Sequence, residues 1–189
     1  MSSEPYINVW DPIVRIFHWT LVISFAITFL TEDDFMRLHS WAGYTIGILL
    51  LVRILWGFIG THHARFSDFV FSPAIVISHL RDVVLLRAKR HVGHNPAGGA
   101  MIVLLLLSLT AATISGIALY GVAENAGPLA SYIGNLGYNW EDVLEDSHEF
   151  IANFTLFLIF FHVAGVVFQS VLQNENLVRA MITGHKRRS

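Results

Sequence analysis

Residues 148–162 read HEFIANFTLFLIFFH, an apolar run with a histidine at each end. The run is continuously apolar, without the period-two alternation of a barrel strand, and the spacing therefore predicts a helix. A separation of 14 residues is nearly four helical turns. His148 and His162 then share one face and differ in height by about 21 Å. Continued to residue 172, the segment is long enough to cross a hydrocarbon core of about 30 Å, which takes about 20 helical residues.

Three more segments meet the same test, so the expected spans are approximately 12–30, 38–59, 98–122 and 148–172. With 54% hydrophobic and 14% charged residues, the composition is that of a membrane protein. The expected fold is all-α: an integral membrane four-helix bundle, one membrane domain over residues 1–189. Asp11-Pro12 marks the start of the first helix, and the acidic stretch from Glu141 to Asp146 precedes the fourth. The connection from Thr31 to Arg37 is tight. That from Gly60 to Ala97 is long and holds Pro73, an amphipathic stretch from Ala74 to Leu86, and the basic cluster Arg87, Lys89, Arg90. The amphipathic stretch is expected to be an interfacial helix between spans two and three, on the cytoplasmic side. The absence of cysteine excludes disulfides, thiolate metal sites, iron–sulfur clusters and covalently attached c-type haem.

Charge divides the two sides. Of the 12 lysines and arginines, only Arg37 falls on the side of the connections between spans one and two and between spans three and four. The other side carries both termini and the long loop, so the positive-inside bias makes it cytoplasmic, with both termini inside. The opposite side carries Glu32, Asp33, Asp34, Glu124, Glu141, Asp142, Glu145, Asp146 and Glu149. That face should attract basic partners and repel anions. The first span lacks a basic leader and a cleavage site, and is expected to be retained as an anchor. No basic stretch with interleaved aromatics points to nucleic acid. Trp10, Trp41 and Trp140, near span ends, read as interfacial anchors.

Ionisable rings within a bilayer are costly and functional by default. His18 lies in the first span, His39 in the second, His148 and His162 in the fourth. Because the first two spans run in opposite directions, His18 matches His162 in depth and His39 matches His148. Facing histidines at two levels are what two bis-imidazole haems require, each iron taking one ligand above and one below. Taken singly, each histidine could instead be an interhelical hydrogen-bond donor. A compact non-haem metal site would gather its ligands at one depth with carboxylates among them.

Further lining residues follow from position. Gly43 and Gly47, on the face of His39, either leave room for a flat macrocycle or serve small-residue helix packing. Arg53, at the depth of His18 and His162, either binds haem propionates or snorkels to the headgroups. Arg15, Trp19, Gly116 and Tyr120 are weaker lining candidates. His94, at the lip of the third span, could reach a propionate or move a proton, and Glu149 could support His148.

The blocks VWDPIVRIFHW at 9–19, RLHSWAGY at 37–44, RILWGF at 53–58, HEFIAN at 148–153, HVAG at 162–165 and MITG at 181–184 resemble the family of prokaryotic cytochrome b561 and the nickel-iron hydrogenase cytochrome b subunit. The resemblance covers nearly the whole chain. It implies a four-helix membrane cytochrome with two noncovalent b haems, ligated by His18, His39, His148 and His162, exchanging electrons between membrane quinone and an outside redox partner. The expected function is transmembrane electron relay between the quinone pool and a periplasmic protein with a basic docking face, such as a c-type cytochrome, whether or not the chain also acts as a quinone oxidoreductase. The alternatives are a membrane-anchor cytochrome b subunit of a hydrogenase or dehydrogenase and, ranked lower, superoxide oxidation coupled to quinone reduction. A haemless transporter fits poorly, because no paired broken helices occur. Beyond lipid, quinone and the redox protein, the reading leaves room for a homo-oligomer.

Overall fold

The computed structural model describes residues 6–31, 35–88, 90–134, 136 and 138–187. Glu32, Asp33, Asp34, Lys89 and Arg188, which enter the expected charge asymmetry, lie outside them. In chain order the elements are β1 (Tyr6–Asn8), α1 (Pro12–Leu30), α2 (Met36–Ile59), a 3-10 turn (His62–Ala64), α3 (Phe66–Phe69), α4 (Pro73–Val84), α5 (Pro96–Ala123), α6 (Ala130–Ile133), α7 (Tyr138–Leu172), α8 (Leu177–Thr183) and β2 (His185–Arg187). Four helices, α1, α2, α5 and α7, are long and apolar enough to cross a membrane. Ile16, Ile23, Ile48, Leu55, Leu107, Phe160 and Val171 on these helices all stand exposed. Apolar surface on that scale belongs against lipid, and helices satisfy their own backbone there. The protein is a helical membrane protein.

The element boundaries depart from the expected ones for identifiable reasons. The fourth span was expected at 148, after an acidic N-terminal stretch, but α7 starts at Tyr138 and takes that stretch into its first turns. No Gly or Pro breaks residues 138–147, so helical hydrogen bonding runs on past the apolar boundary for about 15 Å. Helix α5 starts at Pro96 because the Asn95 side chain accepts from the Gly98 amide at 2.7 Å and proline needs no donor at the first position. The amphipathic helix α4 begins with Pro73 and stops at Val84, since Leu86 turns left-handed at φ 55°. It buries His79 and exposes Ile75, Ile77, Leu80 and Val84, the two-sided character expected of an interfacial helix.

The chain divides into two compact units: Met1–Trp19, Val52–Leu104 and Ile159–Ser189 form the first; Thr20–Leu51 and Leu105–Leu158 form the second. The second is centred on Ile46, Leu50 and Leu109, with Leu21, Phe25 and Leu106 against them. A buried hydroxyl pair joins α5 to α7: Thr155 donates to the Ile151 carbonyl at 2.8 Å, so Ser108 donates to Thr155 Oγ1 at 2.6 Å. Such hydrogen bonds hold helices together where the hydrophobic effect between them is weak.

The first unit contains a feature absent from the expected fold, an antiparallel ribbon of β1 and β2 pairing Tyr6 with Arg187, Ile7 with Lys186 and Asn8 with His185. The Gly184 carbonyl accepts from the Val9 and Trp10 amides at 2.8 and 3.1 Å. Gly184 has φ 86°, and a Cβ there would meet the Trp10 carbonyl oxygen at 2.7 Å, so the position requires glycine. Val9, Trp10 and Ala180 form a small core beneath. Glu175 accepts from the Arg187 amide at 2.8 Å and pairs with Arg90, which also donates to the Arg187 carbonyl at 2.6 Å. Lys186 donates to the Val92 carbonyl at 2.9 Å.

Asp11 is the polar knot of this unit. One carboxylate oxygen accepts from the Val14 amide at 2.9 Å, capping α1, and the other accepts from Trp56 Nε1 at 3.1 Å and Thr61 Oγ1 at 2.6 Å. Burial alone would raise its pKa, but the hydrogen bonds from Thr61, Val14 and Trp56 outweigh it and hold the group below its ordinary 3.8. A lowered carboxylate pKa contributes stability that is complete well above 3.8 and fades as pH falls through the folded value. Asp11→Ala is expected to cost about 1 kcal/mol. In detergent, the melting-temperature gap between wild type and variant should be full at neutral pH and should narrow below pH 3.8.

Candidate functional site

In the second unit, His39 of α2 and His148 of α7 face each other with ring centroids 6.1 Å apart and planes at 75°. That separation lets both imidazoles reach one metal ion at about 2 Å per nitrogen. The hydrogen bonds fix how the rings are protonated. His39 Nδ1 lies 2.9 Å from the Thr28 carbonyl oxygen, which can only accept, so Nδ1 carries the proton. His148 Nδ1 lies 3.0 Å from Ser115 Oγ, and the Ser115 hydroxyl is donated to the Ala112 carbonyl at 3.0 Å, so His148 Nδ1–H is again the donor. Both Nε2 lone pairs are left free, the state in which an imidazole binds a metal.

The surroundings of this pair come from all four spanning helices. A Cβ at Gly116 would lie 2.8 Å from His148 Cε1, so α5 needs glycine there to let the ring pack against it. A Cβ at Gly43 would meet nothing within 4 Å, which leaves the face of α2 one turn from His39 open for a flat ligand. Gly47 takes the packing alternative, with Thr113 Cγ2 only 3.2 Å from its notional Cβ. Tyr120 instead meets Tyr44 at the Gly127 turn, where a Cβ would lie 2.9 Å from Tyr120 and 2.7 Å from the Tyr44 hydroxyl. Glu149 is exposed, and the support that sequence assigned to it for His148 comes from Ser115.

The first unit gathers the other candidates: Arg15, His18 and Trp19 of α1, Arg53 of α2, His94 before α5, and His162 of α7. Arg53 is 4% exposed, and its guanidinium lies 5.3 Å from the Phe66 ring and 5.6 Å from the Phe69 ring. It turns into the protein, which removes the snorkelling alternative. His94 is enclosed between Trp10 at 4.4 Å and Phe69 at 5.0 Å. Burial, then the charges of Arg53 and Lys186, push its pKa down to about 3, so the ring is neutral at physiological pH.

Among the described residues, six buried polar atoms in this unit have no hydrogen-bond partner; besides His79 Nε2 on α4, five belong to the candidates: Arg15 Nε, His18 Nδ1, Trp19 Nε1, Arg53 Nη1 and His94 Nδ1. Each such orphan costs about 1–3 kcal/mol, and together they rival the stability of a whole domain. Three are obligate donors, two of them cationic, so the group that completes them must bring oxygen acceptors and negative charge. Carboxylates on a flat, metal-bearing group between imidazoles meet that demand, and the residues fit a haem with its propionates.

Sequence reasoning missed Ser115, Thr28, Tyr44, Trp56 and the Phe66–Phe69 floor. Ser115, a hydroxyl within an apolar span, was a readable signal. The Thr28 contribution is a backbone carbonyl, which no residue type announces.

The family described as prokaryotic cytochrome b561 matches residues 9–184. The chain is similar to probable Ni/Fe-hydrogenase B-type cytochrome subunits. That of Bradyrhizobium diazoefficiens is 25% identical, covering 97% of this chain and 87% of the relative. That of Cupriavidus necator is 27% identical, covering 94% and 86%. The probable Ni/Fe-hydrogenase 1 B-type cytochrome subunit of Escherichia coli K12 is 25% identical, covering 94% and 89%. No solved structure matches significantly.

Proposed function

The chain belongs to the prokaryotic cytochrome b561 family, and from that membership we propose that it is the membrane-anchoring b-type cytochrome of a hydrogenase-like complex, passing electrons from that partner to membrane quinone. The sequence alone ranks relay from a soluble c-type cytochrome ahead of an anchor subunit. Similarity over nearly the whole chain to hydrogenase B-type cytochrome subunits reverses that order. Family membership implies haem b. Two haems, one held by His39 and His148 and one by His18 and His162, belong to this proposal, as do quinone as acceptor, the inner membrane and cytoplasmic termini.

The observation that carries the reading is the His39–His148 pair, 6.1 Å apart with both Nδ1 protons committed and both Nε2 atoms free. When bound, haem supplies the one-electron chemistry. The chain's own residues do the rest. Thr28 and Ser115 orient the two imidazoles and make them better donors to a metal. Arg15, Trp19 and Arg53 offer the N–H groups that hold carboxylates, and neutral His94 beside them offers one more hydrogen bond through Nδ1. Asp142, Glu145, Asp146 and Glu149 stand exposed on the N-terminal turns of α7 and suit a partner with a basic docking face. The same charges repel an anion such as superoxide.

The test is a haem assay with reduced-minus-oxidised spectra on the purified chain. Two low-spin b haems per chain are expected, His18→Ala or His162→Ala removing one and His39→Ala or His148→Ala the other. If one substitution from each pair abolished the same haem, the pairing would be wrong. Affinity capture of the tagged chain from its native membrane should bring a hydrogenase-type subunit, and hydrogen should then reduce the haem. Reduction by a basic c-type cytochrome with no large subunit retained would restore the relay reading. Ser115→Ala removes the acceptor of His148 Nδ1–H and should raise the potential of the His39/His148 haem by about 40 mV, the equivalent of about 1 kcal/mol, in a potentiometric titration.

A further inference from the structure

Beyond the end of α2 the chain folds tightly against itself. Arg65 Nε donates to the Gly60 carbonyl at 2.7 Å, and Ala64 and Phe69, 2% and 1% exposed, pin the segment to the interior. His62 and His63 lie between these anchors, with ring centroids 4.9 Å apart and planes at 90°. Both turn Nδ1 toward the same side chain: His62 Nδ1 is 3.4 Å from Asp68 Oδ1 and His63 Nδ1 is 3.1 Å from Asp68 Oδ2. One donor atom from each residue falls within 4.8 Å of the other two. A hydrogen bond explains the His63–Asp68 contact, but it does not explain why a second imidazole, 79% exposed and free to point into water, is turned to the other oxygen of the same carboxylate.

Two imidazoles and one carboxylate on a short, pinned segment form a donor set for a divalent transition-metal ion. Space allows it: a Cβ at Gly93 would lie 3.0 Å from His63 Nδ1 and 3.7 Å from Asp68 Oδ2. A side chain on that neighbouring segment would cover the donor atoms, and glycine leaves them open. We propose that His62, His63 and Asp68 bind one divalent ion of the zinc class through two Nδ1 atoms and a carboxylate oxygen, with water completing the shell. None of the three belongs to the haem residues. Gly93, against His63 Nδ1, adjoins His94 in sequence, so an ion held here would place its charge near that ring.

The experiment uses the full, haem-loaded chain in detergent, without a polyhistidine tag and stripped with chelator, titrated with zinc chloride by calorimetry. One high-affinity zinc per chain is expected. His63→Ala and Asp68→Asn should each weaken it at least about tenfold, since losing a ligand costs no less than losing an outer partner, while their haem spectra stay unchanged. A His79→Ala/His91→Ala double variant removes another close histidine pair, at 5.3 Å, and should bind as wild type does. The zinc absorption edge should show two imidazole ligands. Equal zinc binding by wild type and Asp68→Asn, or loss of binding in the His79/His91 variant instead, overturns the proposal and leaves a His–Asp ion pair only.

Discussion

An imidazole within a hydrocarbon layer has two nitrogens to satisfy and no water with which to do it. That constraint organises the second unit. The Thr28 carbonyl takes the proton of His39 and the Ser115 hydroxyl that of His148, so each ring keeps one fixed tautomer and one free lone pair. Gly116 gives His148 room to lie against α5, and the empty face at Gly43 keeps the approach clear. The helices are placed so that two polar rings, costly singly, are complete once something binds between them.

The first unit meets the same constraint by different means. His18 has no acceptor for Nδ1, and the polar demand falls on Arg15, Trp19, Arg53 and His94. Aromatic floors at Phe66 and Phe69 hold the Arg53 guanidinium without neutralising it. One set is built around imidazole tautomers and the other around unspent positive charge. Cations beside a redox group favour its reduced form, so the two sets are electrostatically unlike.

The approach of His39 to His148 was legible because transmembrane helices convert residue count into depth. The four spans were legible for the same reason, their apolar runs being long. Other features escaped because they carry no period: the strands of the ribbon are three residues each, and α3 is a single turn of four. The start of α7 was misread because apolarity stops at the membrane boundary while helical hydrogen bonding does not. Asp11 was recognised as a helix start, but its bonds to Trp56 and Thr61 span 45 and 50 residues, a separation that no local pattern encodes.

The ribbon of β1 and β2 has a consequence for biosynthesis. Strand β1 is made before all four spanning helices, and its partner β2 after all of them. Helix α8, the Glu175 clasp and the C-terminal part of α7 also belong to the first unit, which therefore cannot close until β2 has been made. The second unit needs nothing beyond Leu158. Its histidine pair can form before the residues after Leu158 exist, whereas the unit that holds Arg15 and Arg53 waits for them, so the two sites acquire a temporal order from topology alone.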